Sequence, residues 1–466
     1  MTTPTPTATT GAAAPDERPS SWLERPSGAL VRRVADAALA GDLVGTDEGA
    51  VVFHDLDLLD ARIDDLVAAF PAHAVHTIAV KANPLVEILR ACVERGAGLE
   101  AASWEEVALS LAAGCDPSRV VYDSPAKTRT EIRAALEAGI HINADSLDEL
   151  DRIIEIRDPM VSCDATVGLR VNPAVGGGSI PATSVASPSS RFGERVGDGL
   201  ADALAERAAG RPWLRGLHSH VGSQGMPVET LVAAAGVVSD FRDAVHARLG
   251  HPQLDIVDLG GGATTNYVGE QAVDPADLAA RLAEAAPALF ADDVLLVTEF
   301  GRAIQANCGW ALNRVEYVNR SLAQPVAVTH LGADFLMRVA YAPTHWRHRI
   351  SRLATVAEVR AQETGSETPD QTGHDPSVSW IVSGPLCVAG DVISRDAAFP
   401  ELEAGDWLVI HDVGAYTMSM WSRHCNRGMP AVLGYRDGAD GPRVTVLRER
   451  ESADAVVRQW SRGAGA

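Results

Sequence analysis

The feature that most constrains the fold is a regular alternation of short apolar runs and amphipathic segments between residues 76 and 302. Segments such as SWEEVALSLAAG and TRTEIRAALEAG carry apolar residues at helical spacing and end in glycine, a common helix stop. Each apolar run ends in a polar or glycine-containing turn. The runs are TIAV (77–80), GLEAAS (98–103), RVVYDS (119–124), IHINADS (140–146), TVGLRVNP (166–173), LRGLHSHVG (214–222), LDIVDLGGG (254–262) and VLLVTEFG (294–301).

Eight strands alternating with helices predict an α/β fold of the (β/α)8 TIM-like barrel type. A doubly wound open sheet is the structural alternative, and the number of strands favours the barrel. Barrel enzymes carry their chemistry at the C-terminal ends of the strands, so we expect the site there. The polar and glycine residues at those ends are Lys81, Glu100, Arg170, His220, Gly260, Gly261, Gly262 and Glu299.

The composition changes along the chain in a way that predicts domain boundaries. Residues 1–27 are rich in Thr, Pro and Ala, which predicts a disordered tail, and 28–55 is expected to join a β domain. The barrel is predicted over 56–315. Residues 316–466, with runs such as VSWIVSGPL and DWLVIHDV between turn residues, predict a C-terminal β domain. A polar insertion at 361–377 is expected to be a mobile loop.

The charge and cysteine content narrow the function classes. A formal net charge of −22 argues against nucleic acid or an anionic membrane as a partner. No apolar run approaches the roughly 18 residues of a membrane-spanning helix, and the N-terminus has no signal-peptide core. Six scattered cysteines without a CxxC pair predict reduced thiols, hence a cytoplasmic protein, and no His/Cys spacing resembles a structural zinc site.

Lys81 raises a chemical question because it ends an apolar run, where a charge is costly to bury. One interpretation is a lysine that extends from a strand end into solvent. The other is an amine with a lowered pKa that forms an imine. The triple glycine of DLGGGATTNY offers backbone N–H groups to a phosphate, although a tight turn is the alternative.

Further motifs fit the second interpretation. GLHSHVG places His218 and His220 two residues apart, for a metal pair or for stacking on a flat ring. In VTEFGRAI, Glu299 and Arg302 form either a salt bridge at the rim or separate sites for a cation and an anion. An imine-forming lysine, a phosphate cradle, a stacking histidine and a carboxylate for a ring nitrogen together describe a pyridoxal 5'-phosphate site.

Nine motifs carry a resemblance to a known family between about residues 50 and 440. They are AVKAN, GLEAASWEE, GLRVNP, SRFG, GLHSHVGSQ, DLGGG, TEFGRAI, GPLCVAGD and GAYTMSM. In this order they resemble the fold type III (alanine-racemase-fold) amino acid decarboxylases, the group of diaminopimelate, ornithine and carboxynorspermidine decarboxylases. The resemblance implies decarboxylation of an amino acid in the manner of diaminopimelate decarboxylase. The cofactor would be pyridoxal 5'-phosphate, held as an aldimine of Lys81, and the reaction would pass through a quinonoid carbanion.

The resemblance also implies residue roles. Lys81 would carry the cofactor with Glu100 beside it, His220 would stack on the ring, and Glu299 would pair with the ring nitrogen. The other cofactor-binding candidates are Arg170, Ser190, Gly260, Gly261, Gly262, Gly301, Arg302 and Tyr416. The substrate-binding candidates are Arg338, Tyr341, Cys387 and Asp391. Cys387 would reach into the neighbouring subunit's barrel, which implies a homodimer with shared active sites.

Three departures from the family pattern bear on the substrate. Phe300 replaces a proline, and Arg338 and Tyr341 are three residues apart where the family typically has four. Val388 follows Cys387 where diaminopimelate and ornithine decarboxylases have an acid for the distal ammonium of the substrate. Valine cannot bind that ammonium, so these departures leave the identity of the substrate open, while the resemblance implies an amino acid with a polar distal group. A racemase or epimerase on the same fold and a non-catalytic homologue are the alternatives, and Glu299 argues against the racemase.

Overall fold

The computed structural model describes residues 20–45, 48–197, 199–353 and 378–462. The predicted mobile insertion at 361–377 and residues 1–19 of the predicted disordered tail lie outside these ranges. Two elements precede the barrel, α1 (Gly28–Ala40) and β1 (Ala50–Asp55). Among the described residues, no helix combines the length and apolarity that crossing a membrane requires.

Residues 20–27 are packed against the barrel, which contradicts the prediction that a disordered tail extends to residue 27. A short 3-10 turn, Ser21–Leu23, buries Trp22 to 2% exposure. The indole packs edge-on to Phe300 at 5.4 Å between ring centroids. The fully buried Arg62 donates hydrogen bonds to the backbone oxygens of Ser21 and Glu24. Burial of the indole and these hydrogen bonds offset the entropy lost on ordering.

Eight parallel strands close into the predicted barrel. In the sheet β2 pairs with both β3 and β10, and β5 pairs with β6, which completes the ring. A further short strand, β7, pairs with the end of β6 and is not part of the closed barrel. The strands are β2 (Val75–Ala79), β3 (Gly98–Ala101), β4 (Val120–Tyr122), β5 (His141–Ala144), β6 (Val167–Asn172), β7 (Glu194–Arg195), β8 (Leu214–His218), β9 (Ile256–Asp258) and β10 (Leu295–Thr298).

Helices cover the outside of the barrel, as the periodicity of the intervening segments predicts. Ser103, Thr128 and Ser146 begin three of them, each side chain accepting the N–H three residues on. Gly114 and Gly139 follow two helix ends with positive φ. The helices are α2 (Leu56–Ala69), α3 (Val86–Glu94), α4 (Trp104–Ala112), α5 (Arg129–Glu137), α6 (Leu147–Arg157), α7 (Leu200–Ala208), α8 (Val228–Leu249), α9 (Pro275–Ala285) and α10 (Arg302–Gln305).

The second domain is a sheet in the order β15-β14-β12-β11-β1-β17-β18, with β16 pairing with β11 and β13. Its strands are β11 (Gly309–Asn319), β12 (Val326–Thr329), β13 (Ile350–Arg352), β14 (Val378–Ser383), β15 (Val392–Phe399), β16 (Trp407–His411), β17 (Ala431–Gly438) and β18 (Gly441–Arg448). Two helices accompany them, α11 (Met337–Tyr341) and α12 (Ala453–Trp460).

The N-terminal strand belongs to this second domain. β1 lies between β11, to which it is antiparallel, and β17, to which it is parallel. Since β11 begins at Gly309, the β domain starts before the predicted barrel boundary at 315. The two domains meet at the end of β2, where Tyr416 donates its backbone N–H to Ala82 O at 2.8 Å. Asn83 Nδ2 donates to Gly414 O at 3.1 Å, so this loop of the β domain lies against the barrel rim.

Candidate active site

The amine of Lys81 is held at the rim of the barrel by a buried carboxylate. Lys81 lies on a 3-10 turn, Val80–Ala82, directly after β2. Its Nζ is 2.6 Å from both carboxylate oxygens of Glu100, a fully buried residue of β3, while the Lys81 side chain remains 35% exposed. Burial alone lowers the pKa of Lys81, but the charges of Glu100, Asp123 and Glu299 outweigh it and raise the pKa well above its usual value.

The carboxylate of Glu299 lies just after β10 and is almost fully buried, at 3% exposure. Its Oε1 has no hydrogen-bond partner among the described residues. Burial, together with the charge of Asp123, raises the pKa of Glu299 to about 7. A buried oxygen without a partner is costly, and a ligand N–H at this position would remove that cost.

His220 lies against the glycine turn that follows β9. Gly261 donates its N–H to His220 Nδ1 at 3.0 Å. Burial and the charges of Lys81 and Arg170 lower the pKa of His220 well below its usual value, so the imidazole is neutral. Gly260 has φ +66°, and an added Cβ would lie 2.7 Å from the same Nδ1. Only glycine keeps this approach between turn and imidazole open.

Arg302 is buried among aromatic rings. Its Nη1 donates to Tyr267 Oη at 2.8 Å and its Nε donates to Ser223 Oγ at 3.2 Å. The guanidinium carbon lies 4.3 Å from the ring centroid of Tyr416 and 4.9 Å from that of Trp346. Its Nη2 is buried without a partner among the described residues. An anion would satisfy that N–H group and the charge together.

A second guanidinium shares the same rings. Arg338 lies 4.7 Å from the centroids of both Trp346 and Tyr416, and its Nη1 is buried without a partner in the described part of the chain. Burial and the neighbouring Arg302 charge lower the pKa of Arg338 to about 10. No ion pair to either arginine occurs among the described residues. Two neighbouring guanidinium groups without a carboxylate partner among the described residues are suited to binding an anion.

Arg170 and Ser190 lie together at the far side of the rim. Arg170 Nη1 is 3.3 Å from Asp145 Oδ1, and its guanidinium lies 4.6 Å from the ring centroid of Phe192. Ser190 Oγ accepts the N–H of Phe192 at 3.2 Å. Both predicted cofactor-binding side chains therefore have partners within the protein.

The remaining predicted glycines permit close packing. An added Cβ at Gly301 would lie 2.8 Å from Ala82 Cβ, on the turn that carries Lys81. At Gly262 it would lie 2.9 Å from Gly222 O. Gly301 therefore lets the end of β10 approach the lysine-bearing turn, and Gly262 lets the glycine turn approach the loop after β8.

The predicted substrate-binding residues have different surroundings. Tyr341 is 72% exposed, and Cys387 is exposed on the surface of the β domain. Asp391 is buried, and its two carboxylate oxygens accept the N–H groups of Ala333 at 2.6 Å and Leu386 at 2.5 Å. This geometry contradicts the prediction that Asp391 binds substrate, because its buried oxygens are already bonded, one to the Cys387 loop at Leu386 and the other to the segment at Ala333.

Two carboxylates of the site, Asp123 and Asp258, were not among the sequence candidates, and His218 was considered only for a metal pair or for ring stacking. Asp123 follows β4 directly, His218 ends β8 and Asp258 ends β9, and all three are buried. Asp123 carried the same signal as Glu100, a carboxylate at the end of an apolar run. Tyr267 and Trp346 come from loops, and no pattern in the sequence indicated them.

One group of side chains in the site could coordinate a cation. Its potential ligand atoms lie within 4.8 Å of one another and belong to Asp123, His218 and Glu299. The positive charges of Lys81 and Arg170 act on the same carboxylates, as the lowered pKa of Asp123 shows, although its burial alone works in the opposite direction. Two cations already beside the cluster disfavour a divalent ion. His218 faces these carboxylates while His220 contacts the glycine turn, so the two histidines serve different places.

The comparisons with known proteins agree on one family. A family model described as "Pyridoxal-dependent decarboxylase, pyridoxal binding domain" matches residues 56–306, more than half of the chain. Diaminopimelate decarboxylase of Methanothermobacter thermautotrophicus is 30% identical over 397 residues, covering 82% of this chain and 83% of the relative. That of Pseudomonas fluorescens is 32% identical over 379 residues, covering 80% and 83%.

Solved structures show the same architecture. Diaminopimelate decarboxylase from Helicobacter pylori, complexed with L-lysine, superimposes with a TM-score of 0.77 at 25% identity. The superposition covers 90% of this chain and 98% of that one. The enzyme from M. jannaschii, also with L-lysine, gives a TM-score of 0.78 at 24% identity, a likeness of fold.

Proposed function

This chain belongs to the pyridoxal-dependent decarboxylase family, and from its site we propose which residues hold the cofactor and which class of substrate loses CO2. It is a carboxy-lyase that uses pyridoxal 5'-phosphate. When bound, that group supplies a sink for the electron pair left on the substrate's α-carbon as CO2 departs. The protein's part is to bind, orient and control protons around it.

The number and position of the lysines carry the assignment of the residue that attaches the cofactor. The sequence contains only two lysines, Lys81 and Lys127. The Lys127 side chain is fully buried and donates to Ser124 O at 2.6 Å and Asn143 O at 2.7 Å, so its amine is committed to the barrel. Lys81, at the rim beside Glu100, is the amine that attaches the cofactor.

The unpartnered atoms of the site fit the remaining groups of pyridoxal 5'-phosphate. Glu299 Oε1 would accept the ring N–H, and the neutral imidazole of His220 would stack on the ring. The glycine turn and Arg302 Nη2 would hold the phosphate, with Tyr416 beside Arg302. Burial of Glu299 without a partner supports the first assignment, and the open approach at Gly260 supports the second.

We assign the anion site at Arg338 to a carboxylate at the far end of the substrate. The support is its buried Nη1 without a partner and the additional charge of Arg302 next to it. Diaminopimelate, the substrate in the name of the relatives, carries such a second carboxylate and is the first substrate to test. Val388, 41% exposed after Cys387, offers no charge to a distal ammonium.

We assign Cys387 to the site of a second copy of the chain, which makes the enzyme a homodimer with shared active sites. Residues 387–390 are exposed on the β domain, as a loop that contacts another subunit requires. The carboxylate of Asp391 fixes the shape of this loop from beneath. Cys387 is then placed to exchange a proton with the substrate.

The test has two arms. The holoenzyme is reduced with borohydride and digested, and we expect the pyridoxyl label on the peptide containing Lys81. Label on Lys127, or on neither lysine, would contradict the assignment. CO2 release is then measured over L-, D- and meso-amino acids with and without a distal carboxylate. We expect release from a dicarboxylic substrate; mixing of enantiomers without CO2 release would instead indicate a racemase.

A further inference from the structure

One buried histidine has no role in the chemistry described so far. The His218 side chain is 0% exposed, and neither ring nitrogen has a hydrogen-bond partner among the described residues. Its Nε2 is 3.6 Å from Glu299 Oε2 and 3.8 Å from Asp123 Oδ2. Both separations exceed hydrogen-bond length, so the nitrogen lies between two carboxylates and is bonded to neither.

The surroundings define the charge and tautomer of His218. Burial lowers its pKa, which Asp258 only partly offsets, so the ring is neutral. Two carboxylate oxygens near Nε2 favour the tautomer with its proton on that atom. The titratable groups around the ring are Lys81 after β2, Asp123 after β4, His141 on β5, Arg170 on β6, Asp258 on β9 and Glu299 after β10.

We propose that His218 is a positioning residue for Glu299: its Nε2–H donates to Glu299 Oε2, which presents Oε1 to the cofactor's ring nitrogen and keeps the shared proton on that nitrogen. A movement of about half an ångström brings the pair to hydrogen-bond distance. An N–H donated to a carboxylate stabilises its ionised form and so weakens its competition for the proton. The inference rests on the proposed pairing of Glu299 with the ring.

His54 shows what distinguishes His218 from an ordinary core histidine. It is 1% exposed on β1, and both its ring nitrogens also lack partners among the described residues. Among all the residues that the structure describes, no carboxylate oxygen lies within ion-pair distance of His54. His54 and His218 are therefore both buried without hydrogen-bond partners among the described residues, and of the two only His218 faces carboxylates.

The test compares His218→Met with His218→Gln, since the two side chains have similar length and only glutamine ends in an N–H donor. His54→Met is the matched control. The holoenzyme carries pyridoxal 5'-phosphate labelled with nitrogen-15 in the ring, and the nitrogen shift is followed against pH. In His218→Met the shared proton passes from the ring nitrogen to Glu299. Below the titration midpoint the nitrogen shift therefore moves toward that of an unprotonated ring, because the ratio of ring-protonated to Glu299-protonated forms falls about tenfold.

We expect His218→Gln and His54→Met to titrate like the wild type. We also expect the affinity of the apoenzyme for the cofactor to fall about tenfold in His218→Met alone. An unchanged titration in His218→Met, or equal shifts in the Met and Gln variants, would overturn the proposal.

Asp123→Asn provides a second variant that keeps His218 intact. Loss of the Asp123 charge, which itself raises the proton affinity of Glu299, leaves the Nε2–H to Glu299 alone, so the shared proton stays on the ring nitrogen. Loss of the proton from the ring nitrogen in this variant would refute the proposal. The underlying pairing is checked separately. A wild-type ring nitrogen without a proton, unaffected by Glu299→Gln, would refute the Glu299 assignment itself and His218 with it. A proton lost in Glu299→Gln but kept in His218→Met refutes His218 alone.

Discussion

Replacing Gly260 by alanine tests whether the glycine turn and His220 form one binding surface. Gly260 has φ +66°, a conformation that costs an alanine about 1–2 kcal/mol. Its Cβ would lie 2.7 Å from His220 Nδ1 and 2.9 Å from His220 Cα, where ordinary contact begins near 3.4 Å. The imidazole and the backbone that carries it must therefore retreat by about 0.5–0.7 Å. That movement breaks the 3.0 Å hydrogen bond from Gly261, worth about 1 kcal/mol.

The expected result for Gly260→Ala is a loss of about 2–3 kcal/mol in the free energy of unfolding of the apoenzyme. Because we assign both His220 and the turn to the cofactor site, we expect the affinity for the cofactor to fall about 10- to 100-fold. Gly250→Ala is the matched control. Gly250 has φ +78° after α8, and nothing lies within 4 Å of its added Cβ. It shares the strain, about 1–2 kcal/mol, without the contact, so cofactor affinity is unchanged.

Urea unfolding of both apoenzymes gives the stability change, and titration with pyridoxal 5'-phosphate gives the dissociation constants. The difference between the two variants isolates the contact with His220 from the backbone strain. If Gly260→Ala binds the cofactor as tightly as Gly250→Ala, then the turn and the imidazole do not act together and the reasoning fails.

Three further predictions concern the groups around the cofactor. Glu299→Gln keeps the cofactor bound but lowers the decarboxylation rate about 100-fold, since one preorganised charge contributes about 3 kcal/mol. In the apoenzyme, burial raises the pKa of Glu299 from 4.5 to about 7, so its proton is bound more tightly in the folded state, and stability falls as pH rises through that interval. In Glu299→Gln this fall in the free energy of unfolding should be smaller by about 3 kcal/mol, which urea unfolding at pH 5 and at pH 8 measures. Mixing inactive Lys81→Ala and Cys387→Ala restores about a quarter of the activity, because half the dimers are mixed and each has one intact site.

Each of these has an outcome that contradicts it. An unchanged rate in Glu299→Gln would mean that this carboxylate does not face the ring nitrogen. Parallel pH profiles of stability for wild type and Glu299→Gln would mean that the carboxyl group titrates normally. Subunit exchange confirmed by native mass spectrometry, with no recovery of activity, would place Cys387 outside the partner's site.

The barrel and the edge that carries the site could be predicted from the sequence because both are local properties. A strand of four to six residues and a helix of about ten each show their period within their own length. Parallel strands also end at one edge, so Lys81, Glu100 and Glu299 were expected to come together. The Lys81 to Glu100 distance of 2.6 Å shows two of them in contact.

Only the tertiary structure decided which residues far apart in the sequence are in contact, because no repeating sequence pattern indicates such pairs. Trp22 was assigned to a disordered tail, yet it is buried against Phe300, far along the chain. Trp346 comes from a loop of the β domain to share its ring between Arg302 and Arg338. Such contacts depend on loop paths and domain packing. The sequence by itself therefore determined the barrel and the edge of its site, while the fold decided which side chains meet there, because periodicity records only the order within one element.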